Sequence, residues 1–279
     1  ADMHSVLRSH VLRIFLALSG AHTARLCKHR SLRRRLCKVG AAAFLRWCGD
    51  RPERQLPSVF DGYADVLGQL GFSVQLDTAD RLVLPTLADS RVAESRESTP
   101  LLSSGILYGI APFAAHPGKE LPQPMVEQLI DVLLTSRPDC AVILFGRGRR
   151  EDAVFASWRQ RWPGRVAAAA DTCRDIMDEL RLMGRLSAML SMDSANQHLC
   201  SLVGTRVVTV WGQTHPVAGF APWGQLPSDS IQVDKDCRPC SVFGNRPCRL
   251  AGVEPGRYPC LEAITVRQVA EAMMARLVS

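Results

Sequence analysis

The sequence lacks an uninterrupted apolar run of about 18 residues, the length that a membrane-spanning helix requires. After Ala1 to His4 it also lacks an apolar segment ending in a small-residue cleavage site. These absences argue against a spanning helix and a signal peptide and favour a cytoplasmic location. With 47% hydrophobic and 22% charged residues among 279, the composition is typical of a globular protein with one large or two modest domains.

The positive charges are concentrated in one short stretch that lacks interleaved aromatic residues. The net charge is +7, and the stretch contains Arg25, Lys28, His29, Arg30, Arg33, Arg34, Arg35 and Lys38. Such a cluster attracts phosphate-bearing partners, including anionic lipid and phosphorylated glycolipid, and a solvated helix face explains it equally well. Because no aromatic side chains are available for stacking on bases, we expect no nucleic-acid partner.

The ten cysteines form two groups. Six lie scattered in apolar or helical contexts, which predicts free thiols in a reducing compartment: Cys27, Cys37, Cys48, Cys140, Cys173 and Cys200. The other four are Cys237, Cys240, Cys248 and Cys260. The first pair is half of a four-thiolate zinc pattern, but the second pair is spread too widely for a usual zinc ribbon. For these four cysteines, a zinc site and a disulfide are both open alternatives, and free thiols are favoured over each. We expect no cofactor.

Hydrophobic periodicity divides the chain into a helical first part and an alternating second part. Residues 4–48 have apolar residues at helical spacing, and residues 59–71 predict a helix with Tyr63 on its inward face. A stretch rich in Ser, Thr, Glu, Arg and Pro then lacks periodicity, which is typical of a linker. We therefore place a first domain at 1–87, a linker at 88–104 and a second domain at 105–279.

From Gly105 onward, apolar strands alternate with helices. The predicted strands are 106–113, 141–145, 188–191 and 207–211, and the predicted helices are 122–136, 150–162, 173–186, 194–203 and 265–278. This alternation predicts an α/β fold with a parallel, doubly wound sheet. Ligands bind such sheets beyond the carboxyl ends of the strands, so the turns there are candidate sites.

The turn after the third predicted strand contains Asp193 and Ser194, with His198 one helical turn later. Ser194 is a favourable N-cap, and the first N–H groups of the helix favour a phosphate. N–H donors, a hydroxyl and an imidazole together suit a pyrophosphate group. A capped helix with its histidine in the core explains the same residues.

The turns after the other strands offer further polar groups. Lys119 follows the first strand in a Gly-containing turn and can neutralise a diphosphate, although the spacing is not that of a P-loop. Gly146 and Glu151 follow the second strand; a glycine permits close backbone approach, and a carboxylate accepts hydrogen bonds from sugar hydroxyls. A basic loop with Glu151 at a helix start is the alternative. Thr214 follows the fourth strand as a polar contact.

These residues resemble a known signature. Asp193-Ser194-Ala195-Asn196-Gln197-His198-Leu199, followed by Gly204-Thr205 and the strand to Gly212, resembles that of glycosyltransferase family 9, the lipopolysaccharide heptosyltransferases. Lys119 and Glu151 resemble the family's lysine and acidic residue after the first two donor-domain strands. The resemblance implies a GT-B architecture, with a Rossmann-like C-terminal donor domain and an N-terminal Rossmann-like acceptor domain that is incomplete here.

The resemblance implies inverting transfer of heptose from ADP-heptose to the lipopolysaccharide inner core, without a metal ion. Lys119 and His198 would be catalytic, and the donor-binding residues would be Asp193, Ser194, Ala195, Glu151, Gly146 and Thr214. The acceptor would be a lipid-linked core oligosaccharide. The stretch 25–38 would contact its phosphates or the inner face of the inner membrane.

Two departures from the family pattern bear on these expectations. Ala195 stands where the family usually has glycine, so the backbone approaches the donor less closely. The family's opening strand, Gly-containing turn and aspartate base have no counterpart, which predicts an N-terminal truncation. A catalytically deficient nucleotide-sugar-binding remnant is therefore the alternative function.

Overall fold

A computed structural model describes residues 1–3, 6–84, 105–250 and 252–275, and the chain divides into two compact units. Unit 1 comprises Ala1–Asp80, His215–Ala221 and Asp236–Val242, and unit 2 comprises Arg81–Thr214, Pro222–Lys235 and Phe243–Ser279. The linker predicted at 88–104 lies outside the described residues.

The described part of unit 1 is helical. Its helices are α1 (Leu7–Leu18), α2 (Arg30–Val39), α3 (Ala41–Cys48) and α4 (Val59–Gln69). The prediction of helix across 4–48 is wrong for residues 20–29, which are not helical. There the backbone pairs with Asp2 instead: Asp2 N donates to Ala24 O at 2.8 Å, and Leu26 N donates to Asp2 O at 2.9 Å.

The core of unit 1 is small and lies mainly between α2 and α3. Leu36, Phe44, Cys48 and Ala218 are buried there. Gly40 joins the two helices at φ 82°, where a Cβ would lie 2.3 Å from the Asp236 carbonyl oxygen, so only glycine fits. No residue of α1 is buried.

The inward position predicted for Tyr63 on α4 is wrong, because its side chain is 41% exposed. The face that α4 presents to its neighbours runs through Gly62 and Val66, one helical turn apart. Val66 is fully buried, and a Cβ on Gly62 would meet the Leu26 side chain at 2.8 Å. Tyr63 projects about 100° away from Gly62 around the helix.

Unit 2 contains a six-stranded parallel sheet with helices on both faces. The strands are β1 (Ile106–Ala111), β2 (Cys140–Leu144), β3 (Val166–Ala168), β4 (Ala188–Met192), β5 (Val207–Val210) and β6 (Ser230–Ile231). The helices are α5 (Gln123–Ser136), α6 (Arg149–Arg161), α7 (Ile176–Met183), α8 (Ala195–Leu202), α9 (Pro259–Glu262) and α10 (Val266–Met274). The strand order is β3-β2-β1-β4-β5-β6, which confirms the predicted doubly wound sheet.

Alternate residues of β1 enter the two cores of unit 2. Tyr108 and Ile110 pack with α5, α6 and α10, whereas Leu107 and Ala111 pack with α7 and α8 on the other face. The register aligns Tyr108 with Val142 of β2 and Ala188 of β4. Because β1 is buried on both faces, it reads as a continuous apolar run.

The four predicted strands and five predicted helices of this region are present within a few residues of their expected ends. Two strands were not predicted, β3 with three residues and β6 with two. Thr265 is the N-cap of the last helix, since its Oγ1 accepts a hydrogen bond from Gln268 N at 3.2 Å. Residues 276–279 of the predicted last helix lie outside the described part.

Candidate functional site

The site lies where the winding of the sheet reverses. From β1 the chain proceeds outward to β2 and β3, and from β4 it proceeds outward to β5 and β6 on the other side. The neighbours β1 and β4 therefore flank the topological switch point, beyond which open α/β sheets bind ligands. Lys119 ends the short 3-10 helix Pro117–Lys119 after β1, and Asp193 directly follows β4.

An ion pair joins the two turns at this point. Lys119 Nζ lies 3.4 Å from Asp193 Oδ2, and the two side chains are 13% and 9% exposed. The other oxygen of the carboxylate, Asp193 Oδ1, accepts a hydrogen bond from Gln197 Nε2 at 3.1 Å. Gln197 was not predicted as a site residue, although it lies only four residues after Asp193, in the first turn of the helix that follows β4.

Gln197 links the carboxylate to His198. Its Nε2 also lies 3.3 Å from His198 Nε2. Because an amide nitrogen only donates, the ring nitrogen accepts, in the neutral tautomer that carries its proton on Nδ1. Burial lowers the pKa of His198; Asp193 opposes this change and Lys119 adds to it. The site thus presents a cation, a carboxylate, an amide and a neutral imidazole.

Ser194 and Ala195 begin the helix that carries His198. Ser194 is the N-cap of α8, as predicted, but its side chain makes no capping hydrogen bond. Its backbone is extended, and its Oγ lies 3.4 Å from Ser191 Oγ at the end of β4. Ala195 is exposed in the first turn. The amino end of α8 therefore lies beside Asp193, where its dipole favours an anion.

Close backbone contacts hold Lys119 in place. A Cβ on Gly244, at φ 72°, would lie 2.3 Å from Lys119 Cγ. Gln213 N donates to Gly118 O at 2.9 Å, joining the turns after β5 and β1. The Gln213 side chain is 1% exposed, and neither of its amide atoms has a hydrogen-bond partner within the described residues. Sequence reasoning missed these residues, because glycines and a lone glutamine carry no motif.

Gly146 and Glu151 follow β2, the neighbour of β1. A Cβ on Gly146 would lie 2.0 Å from Glu151 Oε2, so the carboxylate folds back over this glycine. Burial raises the pKa of Glu151, and a hydrogen bond from the Arg147 backbone partly offsets the change. Thr214 lies beyond β5 and is 1% exposed. The structure therefore places every predicted donor-binding residue at the carboxyl edge of the sheet.

The four late cysteines are divided between the two units. The structure joins none of the ten cysteines in a disulfide, so the disulfide alternative is not observed. Cys237 and Cys240 belong to unit 1, whereas Cys248 and Cys260 belong to unit 2. Among the residues that the structure describes, no group of three or more His, Cys, Asp or Glu side chains is placed to hold a metal ion.

Two glycosyltransferases of known structure resemble this fold. The E. coli ADP-heptose lipopolysaccharide heptosyltransferase II matches with a TM-score of 0.56 and 14% identity, over 79% of this chain and 62% of that chain. A family 9 glycosyltransferase from Veillonella parvula DSM 2008 matches with a TM-score of 0.55 and 18% identity, over 77% of this chain and 58% of that chain. The chain shares the fold of these enzymes.

This likeness confirms the predicted fold class. The chain spans about six tenths of the length of the two matched structures. A scan against protein-family models finds no match, and a search of curated proteins finds none. Over the described ranges, none of the helices combines the length and the apolarity that a membrane span needs.

Proposed function

We propose that unit 2 binds the donor of an inverting heptosyltransferase, ADP-heptose, and that the chain acts in transfer of heptose to the lipopolysaccharide inner core. In this proposal, residues 105–279 form the nucleotide-sugar domain and residues 1–87 belong to the acceptor domain. The single observation that carries the proposal is the ion pair between Lys119 and Asp193 at the switch point between β1 and β4.

The electrostatics of the site suit a departing nucleoside diphosphate. Lys119 would stabilise the negative charge that develops on the diphosphate as the bond to the sugar breaks. Burial lowers the pKa of His198 and an approaching anion would oppose this change, so the imidazole could accept a proton when the diphosphate binds. The carboxylates of Asp193 and Glu151 would accept hydrogen bonds from sugar hydroxyls. The remaining contacts to the donor would come from Gly146, Ser194, Ala195 and Thr214.

The acceptor assigned by this proposal is a lipid-linked core oligosaccharide at the inner face of the inner membrane. The basic stretch 25–38 supports this assignment, because phosphates of the core or of anionic lipid would neutralise its charge. The matched E. coli structure is itself described as an ADP-heptose lipopolysaccharide heptosyltransferase.

Calorimetric titration of the full chain with ADP-heptose tests the donor site. We expect saturable binding that Lys119→Ala weakens by roughly tenfold or more, because a charge-assisted contact to the diphosphate is lost. Arg267→Ala is the matched control, since it removes one positive charge from an 85% exposed side chain on α10.

Absence of binding at millimolar ADP-heptose, or an equal loss in both variants, would overturn the donor-site proposal. A second assay follows heptose transfer to a purified lipid-linked core acceptor. Transfer supports the enzyme, whereas donor binding without transfer assigns the chain to a nucleotide-sugar-binding remnant.

A further inference from the structure

Unit 1 contains a cavity with a cationic wall. Its volume is about 420 Å³, and it is lined by His10, Arg25, Cys27, Lys28, His29, Arg30 and Ser31. None of these side chains is acidic, and residues 3–49 contain neither aspartate nor glutamate. The cavity is therefore lined mainly by basic side chains, and the segment of sequence that supplies them contains no acidic residue.

Arg25 and Lys28 are two of the cations in the cavity wall. Within the described part of the chain, neither Arg25 nor Lys28 forms a salt bridge, whereas Arg206 of unit 2 lies 2.7 Å from Asp229. Asp2, whose backbone pairs with that of Arg25, is not part of the cavity wall, and one of its carboxylate oxygens accepts a hydrogen bond from Ser9 Oγ at 2.9 Å. Among the described residues, no carboxylate ion pair therefore competes with a ligand for Arg25 and Lys28.

The cavity wall is held in place by contacts inside unit 1. Arg25 pairs with Asp2 in a backbone bridge. The Arg33 guanidinium donates to Lys28 O at 2.9 Å and to Ala218 O at 3.3 Å, and it lies 4.5 Å from the centre of the Phe220 ring. These contacts order the loop before ligand arrives, which lowers the entropic cost of binding.

The amino end of α2 adds to the same wall. His29 is its N-cap in the left-handed conformation, without a side-chain capping bond, and Arg30 and Ser31 of the first turn line the cavity. The helix has ten residues, so its dipole and first N–H groups favour an anion alongside the cations.

We propose that this cavity binds a phosphoryl group, carried either by a soluble phosphate ester or by a lipid headgroup. An arginine fork and an ammonium group match phosphate oxygens, and the two imidazoles donate further hydrogen bonds. A volume near 420 Å³ far exceeds that of one water, about 30 Å³ in the liquid, and leaves room for part of the esterified group. The inference rests on the acceptor part of the proposed function, which assigns phosphates to the stretch 25–38. The site shares no residue with the Lys119–Asp193 site, so it does not depend on the proposed donor.

Two probes of the full chain distinguish the sources of phosphate. The first is calorimetric titration with inorganic phosphate at constant ionic strength, and the second is co-sedimentation with phosphatidylcholine vesicles that contain or lack phosphatidic acid. We expect the double variant R25Q/K28Q to bind the phosphate-bearing probe roughly tenfold or more weakly than the wild type does. R46Q combined with R51Q makes the same charge change on exposed residues outside the cavity and should leave binding intact.

Each outcome decides for or against the site. Phosphate binding that only the cavity variant weakens supports a soluble ester, and vesicle binding that only this variant loses supports a lipid headgroup. Binding retained by Lys28→Arg would confirm that charge, rather than a damaged fold, is responsible. Failure of both probes to bind, or equal weakening in the two double variants, overturns the proposal whatever the result with ADP-heptose.

Discussion

Lys119 Nζ lies 3.4 Å from Asp193 Oδ2 and thereby joins the turns after β1 and β4 through one charged contact. The two residues are 74 positions apart in the chain. Only the pairing of β1 with β4 brings them together. The contact bridges the two strands at the switch point, so its strength should be measurable in the stability of unit 2.

A double-mutant cycle measures this contact. We expect Lys119→Met and Asp193→Asn each to lower the free energy of unfolding. The double variant should lose less than the sum of the two single losses. The coupling should be about 1 kcal/mol, because both side chains are largely shielded from solvent. Urea unfolding of the wild type and the three variants gives the value, and strictly additive effects would contradict it.

His198 should make the stability of the protein depend on pH. Burial lowers its pKa in the fold below the ordinary value of 6.5, so the unfolded chain binds a proton first as the pH falls. Neutral His198 therefore makes its full contribution to stability above about pH 6.5. This contribution is lost as the pH falls from the pKa of the histidine in the unfolded chain to its lower pKa in the folded protein. His198→Gln should reduce this loss in urea unfolding across the acidic range.

His22→Gln is the control for this measurement, because His22 is exposed. We expect the control to keep the pH profile of the wild type. A His198→Gln variant whose stability falls as steeply with acidification as that of the wild type would refute the assignment.

Gly244 and Gly252 form a matched pair for testing how Lys119 is held. Their φ angles are 72° and 75°, but a Cβ on Gly244 would lie 2.3 Å from Lys119 Cγ, whereas a Cβ on Gly252 meets nothing within 4 Å. Gly252→Ala should cost about 1 kcal/mol from backbone strain alone. Gly244→Ala should cost about 1–3 kcal/mol more, because the lysine must move.

The difference between the two alanine variants isolates the steric contact with Lys119. Thermal unfolding measures the stabilities, and ADP-heptose titration should show weaker binding for Gly244→Ala only. Equal costs for the two substitutions would mean that Gly244 does not position the lysine.

Gln213 provides a test of a buried amide. Its two polar atoms are buried without hydrogen-bond partners in the described residues, which costs about 1–3 kcal/mol for such a group. Gln213→Met has a similar volume and keeps the backbone hydrogen bond to Gly118, so we expect a higher free energy of unfolding. Gln128→Met, on the exposed side of α5, should change stability by less than about 0.5 kcal/mol. A destabilised Gln213→Met variant would show that the amide is satisfied in solution.

Local signals in the sequence were sufficient for the main elements of unit 2. The apolar runs that became β1, β2, β4 and β5 are buried on both faces, and this double burial makes them continuous and easy to recognise. The strands β3 and β6 were not predicted because they are short. β3 consists of Val166, Ala167 and Ala168, and β6 has two residues. Neither is long enough to show a period, and pairing with a neighbouring strand defines both.

Local patterns of residues specify the alternation of strands and helices, the turns in which Lys119 and Asp193 lie, the helix that carries His198, and the cationic stretch at 25–38. Each of these depends on residue type and on spacing within one or two helical turns. The packed fold adds three contacts to these patterns: Lys119 meets Asp193, Gln197 bridges Asp193 and His198, and Arg25 and Lys28 line one cavity. Such contacts join residues from separate elements, and they depend on strand order and backbone clearance, which no local pattern of residues specifies.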